Sequence, residues 1–154
     1  MKKFWNDTRG SSSLWAAFFC LILCTFSILI YTGATIYTKY HIAQTELERA
    51  ATVSVDQALE NPAIRDLITN LSASEVILAV ENNLMQIGYK KAKSGEWRKE
   101  VNGKWICSFQ NLNLSVTGDQ LYVSANFSLP LPWHIDAAVI SLPITFQNKV
   151  LFLN

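Results

Sequence analysis

The chain has 154 residues, half of them hydrophobic and 16% charged, and 13 Lys and Arg against 12 Asp and Glu leave a net charge of +1. This is too apolar for a disordered tail and too charged for a protein that crosses a membrane many times. No basic stripe with interleaved aromatics exists to neutralise phosphates, so nucleic-acid binding has no electrostatic basis.

Residues 1–10 form a basic leader in which Lys2, Lys3 and Arg9 outweigh Asp7. From 14 to 37 (LWAAFFCLILCTFSILIYTGATIY) no residue is charged. At 1.5 Å per residue that stretch reaches roughly 36 Å as a helix, enough to cross a bilayer. It exceeds the apolar core of a simple cleaved signal, although Thr32, Gly33 and Ala34 are small enough for a signal peptidase to cut there instead. The leader cations place the N-terminus in the cytoplasm by the positive-inside rule. Trp5 and Trp15 then bracket the inner interface, while Tyr31, Tyr37, Tyr40 and His41 fall at the outer one. The expected organisation is a leader at 1–10, a transmembrane helix at 11–37 and an extracytoplasmic α+β domain at 38–154. The partners this implies begin with membrane lipid.

Helical spacing does not stop at the membrane. Ile42, Leu47, Ala50, Ala51, Val53, Ala58 and Leu59 recur at helical intervals, and the first proline is Pro62, so one helix is expected from about 13 to 60. Its small residues Ala43, Ala50, Ala51, Ser54 and Ala58 either admit a close neighbour or are simply good helix formers. A short helical turn is expected at 62–70. A further helix opens near Ser72 or Ser74, with Glu75 favourable to its dipole, and closes before Gly88.

Beyond Trp97 the period becomes two. Asn102-Gly103 separates 97–101 from 104–109 and demands a type I′ hairpin. Leu112, Leu114 and Val116 alternate with polar neighbours, 117–120 makes a turn, and Leu121, Val123, Ala125, Phe127 and Leu129 alternate again. A last pair of strands is expected at 138–146 and 150–153, joined near Gln147-Asn148, and Pro130, Pro132 and Pro143 confine their stretches to edges, bulges or ends. The fold class is α+β: a long N-terminal transmembrane helix continuing outside the membrane, short helices, and an antiparallel sheet of about four or five strands.

Chemistry is sparse. His41 and His134 lack the companions a zinc site requires. Cys107, His134 and Asp136 make a trio on paper, but Cys107 alternates with Trp105 and Phe109 as a core thiol does. The six glycines are scattered, and no loop cradles phosphate. Lys90, Lys91 and Lys93 read as a solvated loop. Asn70-Leu71-Ser72, Asn113-Leu114-Ser115 and Asn126-Phe127-Ser128 fit the glycosylation acceptor, a triplet that arises readily by chance. No catalytic residue, metal, cofactor or small-molecule substrate is expected, and the chain reads as a non-enzyme.

A basic leader ending in Arg9-Gly10, an apolar helix entered through Ser11-Ser12-Ser13-Leu14-Trp15-Ala16, the continuing Glu48-Arg49-Ala50-Ala51 and the segment Leu129-Pro130-Leu131-Pro132 together resemble the TadE-like family of pilin-like proteins. The resemblance covers about 50 residues well and the rest loosely. It implies that a prepilin peptidase cuts after Gly10, that Ser11 becomes the new N-terminus, and that the helix packs with other pilin-like subunits of a surface pilus or secretion apparatus. Such sequences usually carry glutamate five residues after the cut, where it meets a neighbour's terminal ammonium; here that residue is Trp15. Without that carboxylate the chain is either a minor subunit that starts or caps an assembly, or one that is never processed. The alternative reading is a membrane-tethered extracytoplasmic binding or sensor domain that works as a monomer.

Overall fold

The computed structural model describes residues 8–60, 73–117, 120–131 and 139–149, with side chains for all of these except 8–12, 59, 60 and 149. The elements in chain order are α1 (Thr8–Glu60), α2 (Ala73–Gln86), β1 (Tyr89–Lys91), β2 (Trp97–Val101), β3 (Lys104–Thr117), β4 (Gln120–Pro130) and β5 (Val139–Lys149). All neighbouring strands are antiparallel, in the order β1-β2-β3-β4-β5. The architecture is α+β, and the chain divides into two compact units, Met1–Tyr37 and Thr38–Asn154.

In the first unit α1 is helical because nothing breaks it: no proline lies within Thr8–Glu60. The helix begins at Thr8, earlier than the spacing of apolar residues suggests. A glycine or serine beside an established helix costs less than about 1 kcal/mol, so propagation runs through Gly10 to Ser13. Polar side chains along the apolar run are satisfied within the helix. Thr25, Ser27, Thr32 and Thr35 each donate to the carbonyl four residues back, at 2.9, 2.8, 2.8 and 2.8 Å. That geometry suits a medium in which water offers no partner.

In the second unit the remaining part of α1 is bound to the sheet at three levels. Tyr40 packs edge-on against Phe127, ring centroids 6.0 Å apart, and donates to the Pro143 carbonyl at 3.1 Å. Glu46 reaches β1 and β2, and Asn148 on β5 donates to Thr52 at 2.8 Å. The small residues Ala43, Ala50, Ala51, Ser54 and Ala58 are all buried, so this face of the helix is covered. Across from them lie the buried β4 residues Leu121, Val123, Ala125, Phe127 and Leu129, with Phe109 and Ile144 on the flanking strands. Each fully buried large side chain here contributes about 1.5–3 kcal/mol.

Local chemistry sets the ends and corners. Glu75 stands in the first turn of α2. Gly88, at φ 101°, closes that helix with its N–H on the Met85 carbonyl at 3.0 Å. Asn102 and Gly103 both have positive φ, 54° and 73°, as the I′ turn requires. Asn111, at φ 51°, sits in a bulge where the β3–β4 register slips between Gln110 and Asn113.

Several expectations needed correction. The strand at 104–109 and the alternating run at 112–116 are one strand, β3, because the bulge at Asn111 absorbs the break in alternation. No turn occurs at Gln147-Asn148: β5 runs through both, paired to Tyr122 and Leu121, since continuing the ladder satisfies backbone groups that a turn would leave open. Lys90 and Lys91 lie in edge strand β1, not in a loop, and Lys91 bonds Glu81 at 2.6 Å. Pro143 does sit on an edge strand, within β5. The short turn at 62–70, the tip residues Gly118 and Asp119, Pro132, His134, Asp136 and the strand at 150–153 lie outside the described residues.

Candidate functional site

Function read from the sequence depends on α1, whose two stretches differ in what covers them. In the first unit Leu14, Phe18, Phe19, Leu21, Leu23, Phe26, Leu29 and Ile30 are all exposed, up to 73% at Leu14. A soluble monomer does not leave so continuous an apolar surface to water. This is one helix near the N-terminus long and apolar enough to span a membrane, with none of its most apolar window buried. Gly10 and Ser11 fall in its first turns, and Trp15 is 60% exposed with its ring edge-on to Phe18 at 6.1 Å. The sequence-predicted site residues therefore share one helix end, with Trp15 part of an aromatic cluster that includes Phe19, 6.2 Å away.

In the second unit the polar chemistry gathers under Glu46. Its Oε1 accepts from Lys99 Nζ at 2.6 Å and its Oε2 from the Tyr89 hydroxyl at 2.8 Å. Lys99 lies over the Tyr89 ring, 5.0 Å from its centroid, and that ring stacks on Phe109 at 5.0 Å. Cys107 completes the group with Sγ 3.7 Å from the Tyr89 oxygen. Since the single phenolic proton is directed to Glu46, the thiol is the donor in that last contact. The register explains the assembly, because Tyr89, Lys99 and Cys107 are successive cross-strand partners on the face toward α1.

Burial pushes the Tyr89 phenol well above its usual range, and the neighbouring Cys107 and Glu46 push the same way. Burial also raises the Cys107 thiol, with Tyr89 and Lys99 acting against it. Tyr89 is thus held as a neutral donor, and Cys107 is a protonated core thiol rather than a nucleophile. Chemically the group is a clamp: a carboxylate on the helix is held by a cation and a hydroxyl on the sheet.

A smaller clamp joins α1 to α2. Asn83 Nδ2 donates to Ser54 Oγ at 2.8 Å, and Ser54 in turn donates to the Ala50 carbonyl at 2.6 Å. Both side chains are buried. Among the described residues no group of three or more His, Cys, Asp and Glu side chains is placed to hold a metal ion.

Neither clamp was anticipated. A signal was present for Glu46 and Ser54, which share a helical face with Ala43, Leu47, Ala50 and Ala58; polar residues on a face of small apolar ones point to a buried partner.

The fold and site define a protein with one candidate membrane-spanning helix and an α+β unit clamped around the continuation of that helix. No family model matches the chain, and neither a curated protein nor a solved structure matches it.

Proposed function

We propose that the chain is a pilin-like minor subunit of a bacterial surface pilus or secretion apparatus. It is processed after Gly10 and acts by packing α1 against the helices of other pilin-like subunits, with no enzymatic step. The observation that carries this reading is the division of labour along α1. Its first stretch keeps a lipid-suited surface uncovered, and its second is clamped to a sheet by small residues and by Glu46. That arrangement gives every subunit a free helical surface for lipid or a neighbour and a separate domain outside.

Processing fits the local chemistry. Gly10 has no side chain to obstruct a protease, and the first turn of a helix has unpaired N–H groups and frays readily, so the scissile backbone can extend. Removing residues 1–10 strips Lys2, Lys3 and Arg9, each worth about 1 kcal/mol of attraction to an anionic inner leaflet. The processed helix then leaves the bilayer more easily. With Trp15 where a glutamate is usual, there is no carboxylate to meet a neighbour's ammonium, which suits an end position in an assembly.

The test compares wild type with Gly10→Val by intact mass and by cross-linking to other pilin-like subunits in native membranes. A mature wild-type chain beginning at Ser11, with cross-links that Gly10→Val loses, is the expected result. Two chains that both keep Met1 and cross-link equally would leave a tethered domain working as a monomer, and a chain beginning at Thr35 would mean secretion.

A further inference from the structure

The sheet face turned away from α1 has a composition of its own. Across β3, β4 and β5 the register sets Asn113, Ser124 and Thr145 in one row and Ser115, Tyr122 and Gln147 in the next. These six residues, together with Val123 and Phe146, line a shallow depression of about 370 Å³. None of the six is charged, and the one aromatic among them, Tyr122, is 40% exposed. The neighbouring rows hold Gln110, Asn126 and Pro143 on one side and Thr117, Gln120 and Lys149 on the other.

Solvation alone does not require this. On β1 and β2 the same face is wetted by Lys90 and Arg98, so charged side chains are compatible with the sheet. Asparagine is depleted from strands, and placing it at 113 and 126 works against local β preference, as happens at sites kept for another purpose. The centre is also held in place. Gln120 Oε1 accepts from the Tyr122 hydroxyl at 2.7 Å and from Gln147 Nε2 at 2.6 Å, which orients both ring and amide before any ligand arrives. A ring fixed in this way offers contact area with little entropy left to lose.

We propose that this face is a binding site for a neutral, hydroxyl-rich saccharide. The Tyr122 ring packs on the sugar, and Asn113, Gln147 and the flanking hydroxyls exchange hydrogen bonds with it. Amides supply a donor and an acceptor side by side, matching adjacent sugar hydroxyls. An anionic ligand finds no cation among the six, and a neutral ligand meets no charge among them that must be desolvated. The volume lies in the range of small-ligand sites, and the openness of a sheet face sets the expected Kd on the order of 0.1–1 mM. The site is independent of whether the chain is processed after Gly10.

The test uses the full chain in phospholipid nanodiscs, because maltoside and glucoside detergents are themselves neutral saccharides. Cello-, malto-, chito- and manno-pentaose are titrated by calorimetry, with a sulfated oligosaccharide as the charged comparison. Binding of at least one neutral sugar is expected. Tyr122→Ala should weaken it at least tenfold, whereas Tyr122→Phe, which keeps the ring and loses the bond to Gln120, should stay within threefold. Thr145→Lys, at an exposed position on the edge strand, should reproduce the loss and stands in should Tyr122→Ala fold poorly. The proposal is overturned by any of four results: no neutral sugar binding at roughly 10 mM, binding of the sulfated sugar alone, affinity unchanged in both folded variants, or sedimentation showing this face covered by a second copy.

Discussion

Residues 13–37 and 38–58 belong to the same helix and obey opposite rules. The first stretch places large apolar side chains all round and buries none of them, while the second is mixed in character, with small side chains on its buried face and Glu46 held by the sheet. Apolar content alone therefore says little about what a helix packs against. The pattern round the helix says more: the covered stretch sets small residues and Leu47 on one buried face, whereas the uncovered stretch is apolar all round.

The difference can be broken most severely at the packed stretch. Leu47→Ala or Phe127→Ala empties a fully buried position and should destabilise the domain by about 2–5 kcal/mol in chemical denaturation. Phe19→Ala, in the uncovered stretch, should leave the same transition within about 0.5 kcal/mol. The converse change is Leu23→Arg, which should cost about 3 kcal/mol of membrane insertion and shift the chain out of the membrane fraction without unfolding the domain. Equal effects of Leu47→Ala and Phe19→Ala on unfolding would abolish the distinction.

The clamp is next in size. Glu46→Gln keeps an acceptor for Tyr89 and loses the ion pair with Lys99, so a loss of about 1–3 kcal/mol is expected. Alkaline pH probes the same cluster. Both Tyr89 and Cys107 are raised, so the folded chain keeps their protons to higher pH than the unfolded chain does. Their contribution is complete below the ordinary thiol value of about 8.5. It declines as pH rises past that value, and more steeply past the ordinary phenol value of about 10. Melting from pH 7 to 11 should therefore show a fall in wild type that is shallower in Tyr89→Phe; parallel curves would remove Tyr89 from the account. The smallest effect belongs to the rim: Lys91→Ala breaks an exposed pair with Glu81 and should change stability by less than about 1 kcal/mol.

Much of this was legible in the order of residues. The span at 14–37 is a matter of length and missing charge, and the hairpin at Asn102-Gly103 is a matter of two residues that tolerate positive φ. The alternation from Leu121 to Leu129 named a buried strand face residue by residue, whereas the small residues of α1, equally readable as helix formers, are buried. These are local properties, carried by composition and spacing within one segment.

What tertiary structure decided was pairing between segments far apart in sequence. That Glu46 would find Lys99, that Asn83 would find Ser54, and that three strands would align amides and hydroxyls on one face depend on register across elements. A bulge at Asn111 shifts that register and leaves almost no trace in a hydrophobicity pattern. The sequence by itself determined where the helix and most of the strands run, because backbone preferences and apolar periods act over a few residues. Only the folded chain decided which polar groups meet, because a buried charge or amide is stable solely beside a partner, and partners are chosen by the packing of the whole.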